Sequence, residues 1–472
     1  MTAKKDAFHL RPVLIFAHGW PPNAEVGAVR AVYLARQLAR NGWQPIVVTL
    51  HERYYELRNT AGIAGTDSAL VIRTYCLPNP RKVYLLFKKW LAWCRRRLLA
   101  ISASPERLDE SSSSQEERIS RSPPSFFKRT LLSLLYTPDE FLGWFPFALA
   151  ASLSAVARHR PQCVISTGPP YTSHLVALAL KGICGTRWVA DFRDPWSWSD
   201  SHLSNERIGV VADGINRWLE KIVMRSADRV VCVAHGMTEK YRTLYPALPA
   251  NKWITITNGY DLDEFAGLGH VDKSDRFTIS YVGGAGGYDF SRTPLLVLRA
   301  IGELIAENRL DRHKVMIRFL GPDRDTAGHS IGGMISENGL SGIAECIGLV
   351  PRPDALKEIL RASAVVLLGG TQRLSVAAKL YEYLASVTPI LAIVEEGDAA
   401  DIIRRTNAGY VIAPNDLPGA KNAIRSLYEK YLHDRQAGAM AKPGDPAITD
   451  EYNWERLGER YAALLEECCE AK

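Results

Sequence analysis

The chain has 472 residues, of which 47% are hydrophobic and 23% are charged, and its formal net charge is +7. These proportions are those of a folded globular protein and exclude a generally disordered chain. The length exceeds the usual domain size of about 100–200 residues, so we expect two domains. The modest net charge does not by itself indicate nucleic-acid binding.

Cysteine spacing and apolar run length exclude further classes of protein. The eight cysteines show neither C-x-x-C spacing nor a neighbouring histidine cluster, so we expect reduced cysteines and no zinc site. The apolar run at 13–17 is too short for a signal peptide. No apolar stretch reaches the ~18 residues that a membrane-spanning helix needs.

Short apolar runs alternate with helical patterns along most of the chain. The run at 12–17 is followed by a glycine-bearing loop, a helical pattern and a second run at 45–50, which is a βαβ opening. Comparable runs predict strands at 163–166, 187–191, 229–234, 253–257, 277–282, 314–321, 364–368 and 389–394. We therefore predict an α/β fold with two Rossmann-like, doubly wound parallel-sheet domains that face a cleft.

Domain limits follow from the places where this alternation breaks. We predict an N-terminal domain over 1–270, a C-terminal domain over 271–448 and a last helix, 449–472, that packs back on the N-terminal domain. An insertion over about 79–145 interrupts the first domain. Its serine-rich part, 101–125, is predicted to be a mobile loop.

Residues 81–99 of the insertion predict a basic amphipathic helix. The segment has seven positive and no negative charges. The apolar residues of one helical face are Val83, Phe87, Trp90, Leu91, Cys94 and Leu98. Such a helix can lie on an anionic membrane surface, where each basic residue contributes about 1 kcal/mol. The alternative is a helix whose apolar face packs on the core and whose basic face is solvated.

The segment 188–196, WVADFRDPW, ends a predicted strand with two carboxylates and an arginine. Ligands of doubly wound sheets bind at the carboxyl ends of the strands, so Asp191, Arg193 and Asp194 are candidate catalytic residues. His18, which follows the first strand, is a candidate for orienting or deprotonating a hydroxyl. A salt-bridged corner would explain the same carboxylates, and His18 could equally be structural.

An ordered series of segments resembles the retaining glycosyltransferases of family 4, which have the GT-B fold. The segments are PPNAEVGAVRAVYLARQLARNGWQPIVVT, STGPPYTSHLVA, WVADFRDPW, SADRVVCVAHGMTEKY, TNGYDLDEF, ISYVGG, GLVPRPDALKEILRASAVVLL and KLYEYLASVTPILAI. They cover nearly the whole chain. The resemblance implies a glycosyltransferase of the hexosyltransferase type, which takes a sugar from a nucleotide-sugar donor and needs neither a metal nor another cofactor.

The resemblance also implies which residues contact the donor. The loops that approach the donor carry Gly27, Gly283, Gly284 and Gly321. Val350 is the candidate for stacking on the base. Two of the loops follow strands predicted to end at 321 and 348. Lys379 and Glu382 are three residues apart on one helical face. The lysine can neutralise pyrophosphate, and the carboxylate can accept the ribose hydroxyls. The alternatives are a plain turn at Gly27 and a solvated ion pair between Lys379 and Glu382.

The chain departs from the family pattern in two places. Leu374 stands eight positions before Glu382, where many members have a first glutamate. The Val-Gly pair at 282–283 is not followed by the usual arginine, so Arg292 and Arg373 are the candidates for the phosphate role.

Two other functions fit the same domains. A catalytically inactive nucleotide-binding or scaffold protein would explain the missing glutamate. A Rossmann oxidoreductase is less favoured, because the loop after the first strand lacks the G-x-G-x-x-G fingerprint. We expect a cytoplasmic transferase, peripheral on the inner face of the cytoplasmic membrane, that acts on a glycan or lipid-linked acceptor in surface polysaccharide or glycolipid synthesis. We expect no nucleic-acid partner.

Overall fold

The structure is a computed structural model. It describes residues 10–23, 26–56, 58, 66–102, 130–131, 133–198, 209–283, 293–322, 330–370, 373–374, 376–437 and 446–470. Of the candidate site residues, Gly284 and Arg292 lie outside this set. The predicted loop 101–125 also lies outside it from residue 103 onward, whereas Ile101 and Ser102 close a helix.

Seven of the described strands form one parallel sheet. They are β1 (Arg11–Phe16), β2 (Trp43–Leu50), β3 (Leu70–Thr74), β4 (Cys163–Gly168), β5 (Arg187–Phe192), β6 (Arg229–Cys232) and β7 (Trp253–Thr255). Their order is β3-β2-β1-β4-β5-β6-β7. In register, Val13 of β1 lies opposite Pro45 of β2 and Cys163 of β4.

Six further strands form a second parallel sheet. They are β8 (Phe277–Val282), β9 (Val315–Leu320), β10 (Ala344–Gly348), β11 (Ala364–Gly370), β12 (Ile390–Val394) and β13 (Gly409–Ile412). Their order is β10-β9-β8-β11-β12-β13. The boundary predicted at residue 270 lies between β7 and β8, where the first sheet ends and the second begins.

Helices connect the strands of both sheets. They are α1 (Val26–Arg40), α2 (Pro80–Ser102), α3 (Phe145–His159), α4 (Thr172–Cys184), α5 (Val210–Ser226), α6 (His235–Leu244), α7 (Leu262–Ala266), α8 (Leu295–Ala306), α9 (Ile331–Glu337), α10 (Arg352–Arg361), α11 (Lys379–Ser386), α12 (Asp398–Arg405), α13 (Leu417–Ala437), α14 (Pro446–Thr449) and α15 (Trp454–Glu470). The alternation of strand and helix agrees with the predicted doubly wound pattern.

The central strands are continuous apolar runs because both of their faces are buried. In β1, residues 13–16 are fully buried, and in β4 and β12 every residue is buried. The ten predicted runs each contain a strand. β10 ends at Gly348, where a further strand end was predicted, and two strands, β3 and β13, were not predicted. Both lie at the edge of a sheet, where β3 exposes Leu70 and β13 has only four residues.

The contacts divide the chain into two compact units. The first unit comprises residues 1–32 and 43–228, and the second comprises 33–42 and 229–472. Within the second unit, α15 packs against the second half of α1, where the Trp454 and Tyr33 rings stack at 5.4 Å. A Cβ added to Gly458 would lie 2.3 Å from the Cβ of Gln37, so the two helices approach closely.

The helix α2 confirms that 81–99 is helical, but its apolar side chains do not pack on a core. Leu86, Phe87, Trp90 and Trp93 are each more than half exposed. In its first turn, Lys82 pairs with Glu140 at 3.0 Å. The alternative of a core-packed helix is therefore wrong for the described side chains. No helix within the described ranges has the length and apolar content that crossing a membrane requires.

Candidate functional site

The strand order of each sheet reverses between two neighbouring strands. These switch points lie between β1 and β4 in the first sheet and between β8 and β11 in the second. The loops that leave such a pair diverge and open a crevice at the carboxyl ends of the strands. His18 and Gly27 follow β1, Gly283 follows β8, and Arg373 and Lys379 follow β11. Five candidate residues thus lie at the two places where the topology predicts ligand sites.

Asp191 is the next-to-last residue of β5, and its carboxylate is fully buried. Arg30 of α1 donates to both carboxylate oxygens, at 3.1 Å from Nε and 2.9 Å from Nη2. The Thr167 hydroxyl donates a further hydrogen bond of 2.8 Å. A buried carboxylate held by a bidentate arginine is strongly oriented, and removing either partner would leave an uncompensated charge. Asp191 therefore fixes α1 to the ends of β4 and β5.

Arg193 joins three loops of the first unit. Its guanidinium donates to the backbone oxygens of Gly27 and Pro169, and its backbone N–H donates to the oxygen of Gly168 at 2.8 Å. A Cβ on Gly27 would lie 2.7 Å from Arg193 Nη1, so a side chain at this position would displace the guanidinium. Burial lowers the pKa of Arg193, partly offset by the charges of Asp194 and Asp191.

His18 lies at the end of β1 with its ring against Phe141, at a centroid distance of 4.3 Å. Burial, together with the nearby charge of Arg193, lowers the pKa of His18 to about 3. The imidazole is therefore neutral at pH 7 and can accept a proton or a hydrogen bond from a hydroxyl. Its low pKa makes it a weak general base.

Asp194 is exposed in the loop after β5, in contrast to Asp191. Tyr171 holds this loop in place, because its hydroxyl donates a hydrogen bond of 2.6 Å to the Pro195 backbone oxygen. The Tyr171 ring stacks on Trp196 at 4.5 Å with an interplanar angle of 3°. Of the four candidate catalytic residues, Asp191 and Arg193 thus hold segments of the first unit together, and the roles of His18 and Asp194 stay predictions.

A cavity of about 780 Å³ opens beside Phe141 in the first unit. It is lined by Leu50, Arg53, Tyr54, Tyr75, Cys76, Leu77, Pro78, Asn79, Lys82, Glu140, Phe141 and Phe147. The Arg53 guanidinium lies over the rings of Tyr54 and Tyr75, at 4.8 and 4.7 Å. Glu140 offsets the charge of Lys82, so aromatic walls with the Arg53 guanidinium are what can hold a ring that bears an anionic group. Sequence reasoning missed this cavity, because its walls come from segments far apart in the chain.

His174 is a second buried histidine that sequence reasoning did not single out as a site residue. The Trp188 indole N–H donates to the Ser166 hydroxyl at 2.8 Å, and that hydroxyl lies 2.7 Å from His174 Nδ1. Since the hydroxyl accepts from Trp188, its own proton is available to Nδ1. Burial lowers the pKa of His174 to about 3. This neutral group supports the loop that carries Tyr171.

In the second unit, three glycine-bearing loops are linked through their backbones. The Gly283 N–H donates to the Leu320 oxygen and the Gly321 N–H to the Gly348 oxygen, each at 2.8 Å. Gly348 has a φ of 84°, in the left-handed region that favours glycine. Val350 follows as a half-buried side chain. Gly283, Gly321 and Val350 therefore lie together at the carboxyl ends of the strands of the second sheet.

Glu382 of α11 is held between two cations. Lys379 Nζ lies 2.7 Å from Oε2, and Arg352 Nη1 lies 3.0 Å from Oε1. Arg352 also pairs with Glu264, at 2.8 and 2.6 Å. Burial raises the pKa of Glu382, but the charges of Lys379 and Arg352 outweigh it and lower the pKa overall. The carboxylate is therefore ionised, buried and fixed, unlike one on a solvated helix face.

Arg373 differs from these residues in its exposure. Its side chain is 68% exposed and lies 3.4 Å from Glu395. An exposed guanidinium with one loose partner can reorient towards a phosphate. Leu374, at the position of the missing glutamate, is adjacent to it in the chain.

Arg30 and Arg352 are site residues that sequence reasoning missed. Arg30 is 161 residues from Asp191, and Arg352 is 30 residues from Glu382. Spacing along one helix predicts only neighbours three or four residues apart, so it predicted the contact of Lys379 with Glu382 and not these two. The one available signal for Arg30 was its position among the apolar residues on the buried side of α1.

Residues 27–259, just under half of the chain, match the family model described as a glycosyl transferase 4-like domain. No curated protein matches the chain.

Solved structures resemble the chain over nearly its whole length. Anabaena HepE in complex with UDP is 12% identical, with 97% of this chain and 100% of that chain covered and a TM-score of 0.60. Sucrose-phosphate synthase from Thermosynechococcus elongatus is 15% identical, with coverages of 97% and 98% and a TM-score of 0.58. A glycosyltransferase from Rickettsia africae ESF-5 is 10% identical, with coverages of 98% and 100% and a TM-score of 0.58. At these identities the likeness shows the fold, and the predicted pair of Rossmann-like parallel-sheet domains is confirmed.

Proposed function

We propose that the chain is a glycosyltransferase resembling family 4 and that its donor is a nucleoside-diphosphate sugar, because residues 27–259 match a glycosyl transferase 4-like domain and the fold is that of HepE. The observation that carries this proposal is the group of Arg352, Lys379 and Glu382 at the switch point of the second sheet. HepE, which has the same fold, is described in complexes with UDP and with UDP-glucose.

The proposed donor site uses Glu382 for the ribose and Lys379 for the diphosphate. An ionised, fixed carboxylate accepts two hydroxyl hydrogen bonds well. When the ribose takes up these contacts, the Lys379 ammonium turns from Glu382 to a phosphate oxygen, while Arg352 keeps the carboxylate in place. Gly283 and Gly321 let backbone N–H groups approach the phosphates, and Val350 stacks on the base.

Breaking the bond between sugar and phosphate builds negative charge on the departing diphosphate. Cations at that point lower the barrier, because they stabilise the charge that develops. We propose that Lys379 and Arg373 supply this charge, with Arg292 as the other candidate, and that no metal is required. We further propose that the sugar keeps its anomeric configuration. Leu374 supplies no carboxylate, so the sugar must be held by other groups of the site.

On the acceptor side, we propose that the cavity beside Phe141 holds the acceptor and that His18 and Asp194 orient its hydroxyl. The aromatic walls suit a sugar ring, and Arg53 suits an acceptor phosphate. Asp191 and Arg193 act through the loops that they hold. A low-pKa imidazole favours an orienting role for His18 over proton abstraction.

We propose that the acceptor is lipid-linked and that α2 lies on the anionic inner face of the cytoplasmic membrane. Two observations support this: the apolar side chains of α2 are exposed, and Lys82 of α2 lines the acceptor cavity. Seven basic residues over 81–99 complement an anionic surface. The product would belong to a surface polysaccharide or glycolipid.

Incubation with a panel of nucleotide sugars, and with lipid extracts as acceptor, tests the proposal. We expect transfer from one donor, with retained configuration by NMR of the product. Glu382→Gln should lower kcat/KM for the donor by about tenfold or more, because a charged hydrogen-bond acceptor is lost. The control Glu429→Gln, on an exposed face of α13, should leave it unchanged.

Tight nucleotide binding without transfer from any donor would instead favour the inactive scaffold. Equal kcat/KM values for Glu382→Gln and the wild type would overturn the proposed donor site. Addition of a chelator should not change the rate.

A further inference from the structure

A second cavity, of about 410 Å³, lies in the second unit. It is at the end of the sheet where the strands begin, whereas the donor residues lie at the end where the strands finish. Ser363 and Pro389, which line it, precede β11 and β12, and Lys273 precedes β8. The donor residues follow the carboxyl ends of these strands. Strands of five to seven residues, at about 3.3 Å per residue, separate the two places by roughly 20 Å. The cavity is therefore distinct from the proposed donor site.

Lys273 is the group in this cavity whose charge is least compensated. Its ammonium donates to the Ala362 oxygen at 2.8 Å and to the Thr388 hydroxyl at 3.5 Å. The Thr388 hydroxyl itself donates to the Ile359 oxygen at 2.9 Å. Among the residues that the structure describes, no carboxylate pairs with Lys273. Burial alone lowers its pKa to about 8.

A half-buried cation without a counter-ion is costly, and a bound anion removes that cost. An ammonium has three donors, of which Ala362 and Thr388 use two, so one remains for a ligand. The same group, when neutral, is a nucleophilic amine.

The other charged side chains of the cavity favour the same sign of ligand. Lys430 and Arg435 line it together with a single carboxylate, Asp434. Lys430 lies 3.7 Å from Asp434 and offsets its charge. Arg435 lies 2.9 Å from the Tyr431 hydroxyl and 3.5 Å from the exposed Asp275. The three cations thus outnumber the carboxylate that lines the wall.

The remaining wall is largely apolar. Phe265, Leu360, Val387 and Leu427 contribute hydrophobic surface. Cavities of about 300–1,000 Å³ with apolar walls and a few polar groups are typical of small-molecule sites. We propose that this cavity is a second small-molecule site, for an anion with an apolar body, and that Lys273 is its anchor.

The site has a structural route to the donor side. Leu360 and Val387 lie at the far ends of α10 and α11, which begin at Arg352 and Lys379. An occupant therefore contacts the two helices that hold Glu382. This route rests on the proposed donor function, whereas the cavity and its anchor do not.

Pyridoxal 5′-phosphate is a suitable probe, because it carries a phosphate and an aldehyde on one ring. The neutral Lys273 amine attacks the aldehyde carbon, water leaves, and an imine forms. Borohydride then delivers hydride to the imine carbon and a proton reaches the nitrogen, which leaves a stable secondary amine. Peptide mapping by mass spectrometry locates the label on the full chain without any nucleotide or acceptor.

At pH 7.5 we expect saturable labelling of Lys273, at least about tenfold above that of the exposed Lys240 and Lys357, since a lower pKa leaves more neutral amine. Pyridoxine 5′-phosphate, which has an alcohol in place of the aldehyde, should compete with this labelling. It should also raise the melting temperature of the wild type and of Lys357→Met, but not of Lys273→Met.

Labelling of Lys273 no greater than that of Lys357, or labelling that is linear in probe and resists the competitor, would overturn the proposal. The wild-type arm decides the question even if Lys273→Met fails to fold. Because no arm uses sugar transfer, a failure here is distinct from a failure of the proposed transferase activity.

Discussion

At the scale of single residues, the position that best isolates one contact is Gly27. The backbone oxygens of Gly27 and Pro169 accept hydrogen bonds from Arg193, and the absence of a side chain at 27 leaves room for the guanidinium. This contact explains a glycine in the first turn of a helix, where it otherwise reduces helix stability by about 1 kcal/mol relative to alanine.

We expect Gly27→Ala to destabilise the protein by about 1–3 kcal/mol, because the displaced guanidinium leaves buried hydrogen-bonding groups without partners. Thermal unfolding followed by circular dichroism measures the effect. Gly182→Ala is the matched control, since a Cβ there meets nothing within 4 Å and α4 gains a better helix former. Equal melting temperatures for the two variants would contradict the role assigned to Gly27.

His18 carries a prediction about pH. Its pKa is about 3 in the folded protein and about 6.5 when unfolded, so unfolding takes up a proton between these values. The contribution of His18 to stability is therefore full above pH 6.5 and is lost as the pH falls towards 3. The slope is about 1.4 kcal/mol per pH unit for one such group.

Urea denaturation of the wild type and of His18→Gln, from pH 7.5 to pH 4, tests this linkage. The stability curve of the variant should fall less steeply below pH 6 and run parallel to that of the wild type above pH 7. Titration of carboxylates is common to both proteins and cancels in the difference. Parallel curves over the whole range would contradict the lowered pKa.

At the level of single elements, most strands that the sequence predicts are buried on both faces, although the half-buried edge strand β7 was also predicted. Edge strands meet a weaker requirement, because one side has no neighbour and exposed positions accept polar residues. β3 contains Arg73 and exposes Leu70, and the run that contains β13 begins with Gly409 and exposes Tyr410, so both patterns are weaker than those of the central strands. Burial, and not strand propensity alone, is what makes a strand visible in the sequence.

The helix α2 is the element whose function can be tested alone. Vesicles of phosphatidylcholine with phosphatidylglycerol should float the wild-type protein at low salt. Lys88→Glu with Lys89→Glu should reduce binding by at least about tenfold, since each basic residue near the surface contributes about 1 kcal/mol. The control is the double variant Lys240→Glu with Lys357→Glu, which makes the same change of charge at exposed positions on α6 and α10.

The control pair should bind as the wild type does. A wild-type protein that stays at the bottom of the gradient, or equal losses for the two double variants, would refute membrane contact through α2. Phe87→Ser with Trp90→Ser should also weaken binding, because both side chains are more than half exposed.

At the scale of the whole molecule, topology could be predicted further than chemistry. The repeated strand and helix pattern predicted two parallel sheets, and their switch points then indicated where ligands bind. Which side chains meet at those points depends on contacts between distant segments. Arg30 with Asp191 and Arg352 with Glu264 are such contacts, and no local spacing predicts them.

The exposed face of α2 has a consequence for the purified protein. Without lipid, pairing of two copies would cover its exposed apolar side chains, and the like charges of 81–99 oppose that pairing. At ionic strengths near 0.1 M, salt screens the repulsion between charges that are more than about 8–10 Å apart. It leaves the apolar attraction in place. We therefore expect dilute buffer to keep the molecules apart and concentrated salt to bring them together, whereas the same salt should release them from vesicles.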